Sequence, residues 1–302
     1  MITWTIGATG LLGSALVRQA RTQLDVSPIS WQDPPRAREQ LIAGTRALAT
    51  RAQDAPWRIL WAAGASTVAT TADQTHAELL AVESLASAIA DHGPRGPGTV
   101  FLASSAGGVY AGSHPAPFSN DTPIAPISPY GILKAEQEAV IRSLGSTCHV
   151  VIGRIANLYG PSQRLDKAQG LISMLVRAAA TRQSLNIFVP LDTMRDYVFV
   201  DDAARAILSA CEPSVDPGVR VEVIASGRAV TIGHLIRLVE VVTKRKVPVA
   251  LGSHPSASHQ VRDLRLQPTI DVPDPTPLPA GIRMIFEDAV HRLQSAHSAH
   301  RP

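Results

Sequence analysis

Lysine, cysteine and aromatic residues are scarce in this chain of 302 residues. Lysine occurs only four times, and the arginines are scattered along the chain, so its net charge of +3 forms no basic run. A nucleic-acid or membrane footprint would be clustered, and we therefore expect neither partner. Scattered arginines still suit a small anionic ligand such as a phosphate ester.

The chain has two cysteines, Cys148 and Cys211, and both stand among apolar neighbours. They are interpreted as small buried hydrophobic residues. No CxxC motif or His/Cys cluster indicates a metal, so we expect none. The N-terminus has no signal-like pattern, and no apolar run approaches the roughly 20 residues that span a bilayer. The sequence therefore predicts a soluble cytoplasmic protein.

Apolar, β-prone segments alternate with helical patterns through the first half of the chain. Strands are predicted at 2–6, 24–31, 57–65 and 148–161, and a further strand starts at 98 and enters a small-residue loop within 98–110. Helices are predicted at 11–20, 36–52, 75–93 and from 128. After Pro161 the rhythm changes, with helices predicted over 168–182, 230–246 and 281–295. Strands that alternate with helices are typical of a parallel sheet with crossover helices.

Three glycines, Gly7, Gly10 and Gly13, follow the first strand and run into a helix in "TIGATGLLGSAL". The first permits a tight turn, the second lets the backbone approach a pyrophosphate, and the third allows close helix–strand contact. The helix N-terminus adds free N–H groups and a partial positive charge. This pattern favours a dinucleotide site, although a glycine triplet alone is weak evidence.

The segment that should hold the adenosine ribose is less regular. Ser30 and Trp31 stand where an acidic residue would be expected, and Asp33, Arg36 and Arg38 follow. An arginine here could meet the 2′-phosphate of NADP. It is equally plausible that the arginines only form a solvated helix start. We therefore expect NAD or NADP, with NAD preferred.

Tyr130 and Lys134 lie four positions apart in "SPYGILKAEQE", after an N-cap serine and a proline, so they share one face of a helix. A tyrosine that acts as a base near pH 7 must have its pKa lowered by about three units, or about 4 kcal/mol. A lysine ammonium one turn away supplies part of that stabilisation. Ser104 and Ser105, at the end of a predicted strand, could orient a substrate oxygen.

Five ordered motifs, "GATGLLG", "LASSAGGVY", "SPYGILKAEQE", "RIANLYGPSQ" and "RDYVFVDDAARAI", resemble those of an extended short-chain dehydrogenase/reductase of the NAD-dependent epimerase/dehydratase family. The resemblance implies a Rossmann-type doubly wound parallel sheet with a smaller C-terminal α/β substrate-binding region. It also implies a dinucleotide-binding domain over 1–160 and mainly nucleotide-sugar-binding segments over 161–302, some of which return to the Rossmann sheet.

The resemblance assigns roles position by position. Tyr130, Lys134 and Ser105 would be catalytic. The cofactor would be bound by Gly7, Thr9, Gly10, Leu11, Leu12, Gly13, Ala62, Ala63, Gly64 and Ser104, together with Tyr130 and Lys134. The substrate would be a nucleotide-diphosphate sugar, held by Asn157, Arg195 and Arg262. An ion pair with Asp201 or Asp202 is the alternative for Arg195, and a capped turn is the equal alternative for Asn157. A homodimer, formed through the Tyr130 helix and the helix of "AELLAVESLASAIA", is expected by resemblance.

The chain departs from the family at two places. Ala106 stands where the family carries its catalytic Ser or Thr, so Ser105 is assigned that role, with Gly107 and Gly108 in a loop that would bring it into place. Between Trp31 and Trp57 only one helix and no third strand is predicted.

The predicted activity is a sugar-nucleotide epimerase that oxidises and re-reduces a sugar carbon, with C4 the expected centre. An NADPH-dependent 4-ketoreductase is the alternative. A dehydratase is disfavoured because Gly107–Gly108 replace that subgroup's Asp–Glu pair. A non-catalytic dinucleotide-binding regulator is a second alternative, which would not need Tyr130, Lys134 or Arg195.

Overall fold

The computed structural model describes residues 1–66, 72–163, 170–214, 216–253 and 260–299. Its strands are β1 (Ile2–Ile6), β2 (Trp57–Trp61), β3 (Gly98–Ser105), β4 (His149–Ile155), β5 (Asn157–Tyr159), β6 (Leu185–Ile187), β7 (Met194–Arg195), β8 (Tyr197–Phe199), β9 (Gly218–Ile224), β10 (Val230–Thr231), β11 (Val249–Leu251) and β12 (Asp263–Leu264). Its helices are α1 (Leu11–Gln19), α2 (Pro34–Ala52), α3 (Ala72–His92), α4 (Ala106–Val109), α5 (Pro129–Arg142), α6 (Leu171–Thr181), α7 (Val200–Ala210), α8 (Ile232–Thr243) and α9 (Leu278–Ala299). A short 3-10 helix covers Ser143–Ser146.

Five parallel strands form the central sheet in the order β1-β2-β3-β4-β9. Every residue of β1, β2 and β4 is buried, which is the pattern of parallel strands covered by helices on both faces. One face packs against α1 and α7, and the other against α2, α3 and α5. The predicted parallel α/β sheet is confirmed.

A third apolar cluster lies beyond the sheet and joins α6, α8 and α9 to β5 and β8. Short two- and three-stranded sheets surround it, including β10-β7-β12. β9 and α7 also belong to the second half of the chain, like α6, α8 and α9. They nevertheless pack with the central sheet. The division of the chain at residue 160 stays a prediction.

The strand predicted over 24–31 is wrong. Around this segment, backbone hydrogen bonds to β1 come from residues 22–24 alone: Thr3 donates to the carbonyl of Thr22 and accepts from the amide of Leu24. Beyond them the side chain of Gln40 bonds the carbonyl of Pro28 and the amide of Ser30. These bonds occupy backbone groups that a strand would use, and Pro28 has no N–H to donate. β1 therefore lies at the end of the sheet. Between Trp31 and Trp57 the structure has the one helix α2 and no strand, as predicted.

The segment after β3 was expected to be a loop, but it forms the one-turn helix α4. Ser105 caps this helix by accepting a hydrogen bond from the amide of Gly108. Gly108 lets α4 lie against α5, since a Cβ there would stand 3.2 Å from the Tyr130 ring. The helix predicted from residue 168 begins at Leu171, and residues 168–169 lie outside the described part.

The last helix begins at Leu278, three residues before the predicted start. Cys148 and Cys211 are buried free thiols, as predicted. In the described ranges, none of the helices has the length and hydropathy that crossing a bilayer requires.

Candidate active site

A cleft of about 510 Å³ opens where β1, β2, β3 and β4 end at their carboxyl termini. This edge of a parallel sheet is where α/β folds place ligands. The cleft is lined by Thr9, Gly10 and Leu11 after β1, by Ala62, Ala63 and Gly64 after β2, by Ser104, Ser105, Tyr130 and Lys134, and by Asn157, Tyr159, Arg195 and Tyr197 on the opposite wall, among others. Most of the predicted site residues therefore meet in one place.

The glycine turn between β1 and α1 has the geometry that its sequence predicts. Gly7 has a φ of +89°, which glycine adopts without strain. A Cβ on Gly13 would stand 2.0 Å from the carbonyl oxygen of Gly7, so only glycine lets α1 start this close to the turn. Gly10 caps α1 without a side-chain acceptor, and the first amides of the helix are therefore available to an anion. The Leu12 side chain lies in the core, so only its backbone could contribute.

Tyr130 is half-buried in the first turn of α5, and the Ser105 hydroxyl lies near its phenol. Ser105 is thus the serine beside the tyrosine, whereas Ala106 is completely buried in the core. Burial raises the pKa of the Tyr130 phenol, the Ser105 hydroxyl lowers it, and the negative charge of Glu78 raises it.

Lys134 lies one turn along α5, with its Nζ 5.8 Å from the centre of the Tyr130 ring. The ammonium donates to the carbonyl oxygen of Ala103 at 3.3 Å and to Oε1 of Gln137 at 3.0 Å. Burial lowers the pKa of Lys134, while the carboxylates of Glu78 and Glu138 raise it. The shared helical face predicted from the i, i+4 spacing is observed.

A buried polar cluster, absent from the sequence prediction, fixes α5 to the sheet. Glu138 accepts hydrogen bonds from Ser104 at 2.6 Å and from Arg154 at 2.8 and 3.1 Å. Arg154 also donates to the Tyr110 hydroxyl, which donates to the carbonyl of Ser119. Ser104 lines the cleft, but its hydroxyl is committed to this cluster. The position of Glu138 four residues after Lys134 was the signal that could have revealed it.

Glu78 on α3 is a second side chain that sequence reasoning missed. Its Oε1 accepts hydrogen bonds of 2.7 Å from the amides of Ala65 and Ser66, directly after the cleft-lining Gly64. It precedes the buried Val82, Leu85 and Ile89 at helical spacing. A carboxylate on the apolar face of α3 was therefore the signal in the sequence.

On the opposite wall, Arg195 is buried and lines the cleft. Its guanidinium donates to the carbonyl of Met194 at 2.8 Å and to Oε1 of Gln260 at 3.3 Å. The alternative ion pair is not formed, because Asp201 pairs with Arg18 and Asp202 with Arg205. Burial lowers the pKa of the guanidinium, and nearby Tyr197 and Asp263 raise it.

Other predicted residues are placed differently. The side-chain amide of Asn157 donates to the carbonyl of Asp196 at 2.8 Å. Asn157 lines the cleft, as Arg195 does. Arg262 is exposed, pairs with Asp192 and does not line the cleft.

At the ribose end, Asp33 caps α2 by accepting a hydrogen bond from the amide of Arg36. Arg36 and Arg38 are exposed at the start of that helix. Trp31 stands edge-on to the buried Trp61, which ends β2. Among the residues that the structure describes, no group of three His, Cys, Asp or Glu could hold a metal ion.

Comparison with curated proteins finds relatives in part of the chain. The chain is 27% identical over 170 residues to dTDP-4-dehydro-6-deoxyglucose reductase of Escherichia coli, covering 55% of this chain and 53% of that protein. It is 35% identical over 114 residues to UDP-glucose 4-epimerase of Mycolicibacterium smegmatis, covering 37% and 36%. The matched region thus spans about half the length of these curated relatives or less.

The fold is shared over nearly the whole chain. MoeE5 in complex with UDP-glucose and NAD superposes with a TM-score of 0.79 at 24% identity, covering 97% of this chain and 99% of that one. The family model described as "NAD dependent epimerase/dehydratase family" matches residues 5–223, which include the glycine turn, Tyr130, Lys134 and Arg195. The chain therefore belongs to the NAD-dependent epimerase/dehydratase family.

Proposed function

We propose that this chain is a NAD(P)-dependent nucleotide-sugar epimerase that oxidises and re-reduces one sugar carbon, with C4 the expected centre. The observation that carries the proposal is the Tyr130–Lys134 pair, which lies in one cleft between the glycine turn and the buried Arg195. A phenol in this position can exchange a proton with a bound ligand, and a buried guanidinium suits a diphosphate.

The residues present fit a dinucleotide. The missing Cβ atoms of Gly7 and Gly13 leave room for a tight turn, and the N-terminus of α1 offers amides to a pyrophosphate. Ala62, Ala63 and Gly64 would line its path toward Tyr130. When bound, the oxidised cofactor would accept a hydride from the sugar carbon, return it, and add a positive charge to the site.

The chain's own residues would move the proton and orient the sugar. The Tyr130 phenolate would take the proton of the sugar hydroxyl as that carbon is oxidised, and return it to the same oxygen after the ketone has presented its other face. Ser105 would donate a hydrogen bond to that oxygen. The Lys134 ammonium would favour the phenolate form of Tyr130 by charge. Arg195 and Asn157 would hold the diphosphate, so that the sugar alone turns between the two half-reactions.

A 4-ketoreductase that consumes NADPH is the second candidate, because the E. coli relative is a reductase. Burial raises the pKa of Tyr130, which keeps the phenol protonated and suits the donation of a proton to a ketone. The two candidates use the same residues and differ in whether the cofactor is regenerated within one catalytic cycle.

The cofactor distinguishes these candidates. Protein purified without added cofactor is denatured, and the released dinucleotide is identified by mass spectrometry. Release of NAD supports the epimerase, because a regenerated cofactor stays bound. Protein that is purified empty and binds only NADPH supports the reductase. Failure to bind either dinucleotide contradicts both.

A non-catalytic dinucleotide-binding regulator is a further candidate, and the binding assay together with a turnover assay tests it. Such a protein would bind the cofactor, yet turn over no nucleotide sugar with either wild type or Tyr130→Phe. The regulator is the third candidate, because it would give the buried Lys134 and Arg195 no function.

A further inference from the structure

The carboxylate of Glu78 stands behind the cleft, on the side of Gly64. Its Oε1 accepts both amides that follow Gly64, at 2.7 Å each, so one oxygen fixes the backbone that leaves β2. Its Oε2 is buried and, within the described residues, makes no hydrogen bond. A buried carboxylate oxygen without a donor is costly, and it calls for a charge nearby.

That charge is the Lys134 ammonium. A Cβ built on Gly64 would lie 3.4 Å from Oε2 of Glu78 and 3.7 Å from Nζ of Lys134, so both groups flank this glycine. Gln137, which accepts a hydrogen bond from Lys134, donates in turn to the carbonyl of Glu78 at 3.4 Å. Gln137 thus links α5 to α3, and the predicted catalytic lysine bonds to that same side chain.

We propose that Glu78 is a positioning residue, which fixes the cofactor-facing backbone at residues 64–66 and sets the charge balance of the Tyr130–Lys134 pair. This inference rests on the proposed function, because it assigns Glu78 a part in the same site. Glu78 touches neither Tyr130 nor a ligand directly, and its effect is carried by the backbone and by charge.

Several charged groups surround the pair. Lys134 faces Glu78 from α3 and Glu138 from its own helix, and Glu138 is itself paired with Arg154 from β4. Tyr130 lies near Ser105 and Lys134, and the charge of Glu78 also acts on its phenol. The charge of Glu138 is already neutralised by Arg154. Glu78 is therefore the carboxylate whose negative charge stabilises the Lys134 ammonium. A carboxylate also disfavours a second negative charge on the phenol, so Glu78 raises the pKa of Tyr130 and of Lys134 together.

The test is an absorbance titration of tyrosine, which needs neither cofactor nor substrate. The chain has four tyrosines, and subtracting the titration of Tyr130→Phe isolates the Tyr130 transition. In Glu78→Gln, which keeps the shape and loses the charge, this transition moves to lower pH. Glu83→Gln, an exposed position on the same helix, leaves it unchanged. Glu78→Asp, which keeps the charge, lies closer to wild type than Glu78→Gln does.

An unshifted Tyr130 transition in Glu78→Gln, with native circular dichroism, overturns the proposal. If Glu78→Gln does not fold, Glu78→Asp decides alone: a Tyr130 transition displaced to lower pH despite the retained charge also overturns it. The titration is independent of turnover, so a chain that turned over no sugar would defeat the proposed function without deciding this result. Conversely, an active enzyme with an unshifted transition would defeat only the role of Glu78.

Discussion

The proposed proton transfer depends on the environment of a single side chain, Tyr130. Its phenol lies near Ser105, its ring faces the Lys134 ammonium, and its pKa is raised by burial and by Glu78. At neutral pH the chain alone therefore keeps the phenol protonated. A bound oxidised cofactor would supply the positive charge needed to lower that pKa toward the working pH.

Tyr130→Phe removes only the phenolic oxygen. We expect kcat to fall by about 10²–10⁴-fold, the usual contribution of general acid–base catalysis, while the affinity for dinucleotide stays near wild type. Steady-state kinetics and fluorescence titration of the cofactor measure the two effects. A variant that lost cofactor binding and turnover together would point to a structural role instead.

Arg195→Lys keeps the positive charge but loses the planar fork of the guanidinium. We expect KM for the nucleotide sugar to rise by about tenfold or more, corresponding to about 1.4 kcal/mol of lost binding. Calorimetry with a nucleoside diphosphate gives the affinity directly. Arg262→Lys is the matched control: that side chain is exposed and pairs with Asp192, so an equal effect there would contradict the placement of the diphosphate.

Tyr130, Lys134 and Arg195 could be predicted to share one site because helical spacing and motif order are local properties, and all three line the cleft. Sequence reasoning missed Glu78 and Glu138 because their partners, Ser66 and Arg154, are distant in the chain and meet them only after folding. A carboxylate on an apolar helix face was visible for Glu78, but its partner was not.

At the scale of elements, the start of α1 packs very closely against the turn that joins it to β1. Gly13→Ala would place a methyl group against the Gly7 carbonyl, 2.0 Å away and part of the backbone. We expect a loss of about 1–3 kcal/mol in the free energy of unfolding, as for other overpacked sites, together with weaker dinucleotide binding.

Gly233→Ala, near the start of α8, is the matched control. Its new Cβ would meet its nearest neighbour, the Leu191 carbonyl, at an ordinary 3.5 Å, so we expect little change in stability. Chemical denaturation of the two variants measures the difference. Equal stabilities would contradict the close approach of α1 to its turn.

β1, β2 and β4 could be predicted from the sequence, because strands that are buried on both faces have a nearly continuous run of apolar residues. The segment 24–31 carried β-prone residues, but only its first residue, Leu24, bonds to β1. Gln40 bonds backbone groups farther along the segment instead. α4 was not predicted because two of its four residues, "AGGV", are glycines, which disfavour a helix. Its cap, Ser105, and its contact with α5 hold it.

At the scale of the whole molecule, the homodimer stays a prediction. α3 and α5 pack side by side, and Leu80 and Ile132 on them are 43% and 47% exposed. If these helices meet a second copy, Ile132→Glu would bury a charge in the interface and shift the protein toward monomer. Analytical ultracentrifugation measures this. Val241→Glu, at a 72% exposed position on α8, should leave the assembly unchanged. A wild type that sediments as a monomer would contradict the dimer.

The central claim is that Tyr130 moves a proton while a hydride leaves and returns to the same sugar carbon. The most direct measurement is turnover of a panel of nucleoside-diphosphate sugars deuterated at C4, analysed by NMR, with wild type and Tyr130→Phe. The account predicts a C4-inverted product that retains its deuterium, formed by wild type and about 10²–10⁴-fold more slowly by the variant. Equal rates for the two proteins, or exchange of the deuterium with solvent, would contradict it.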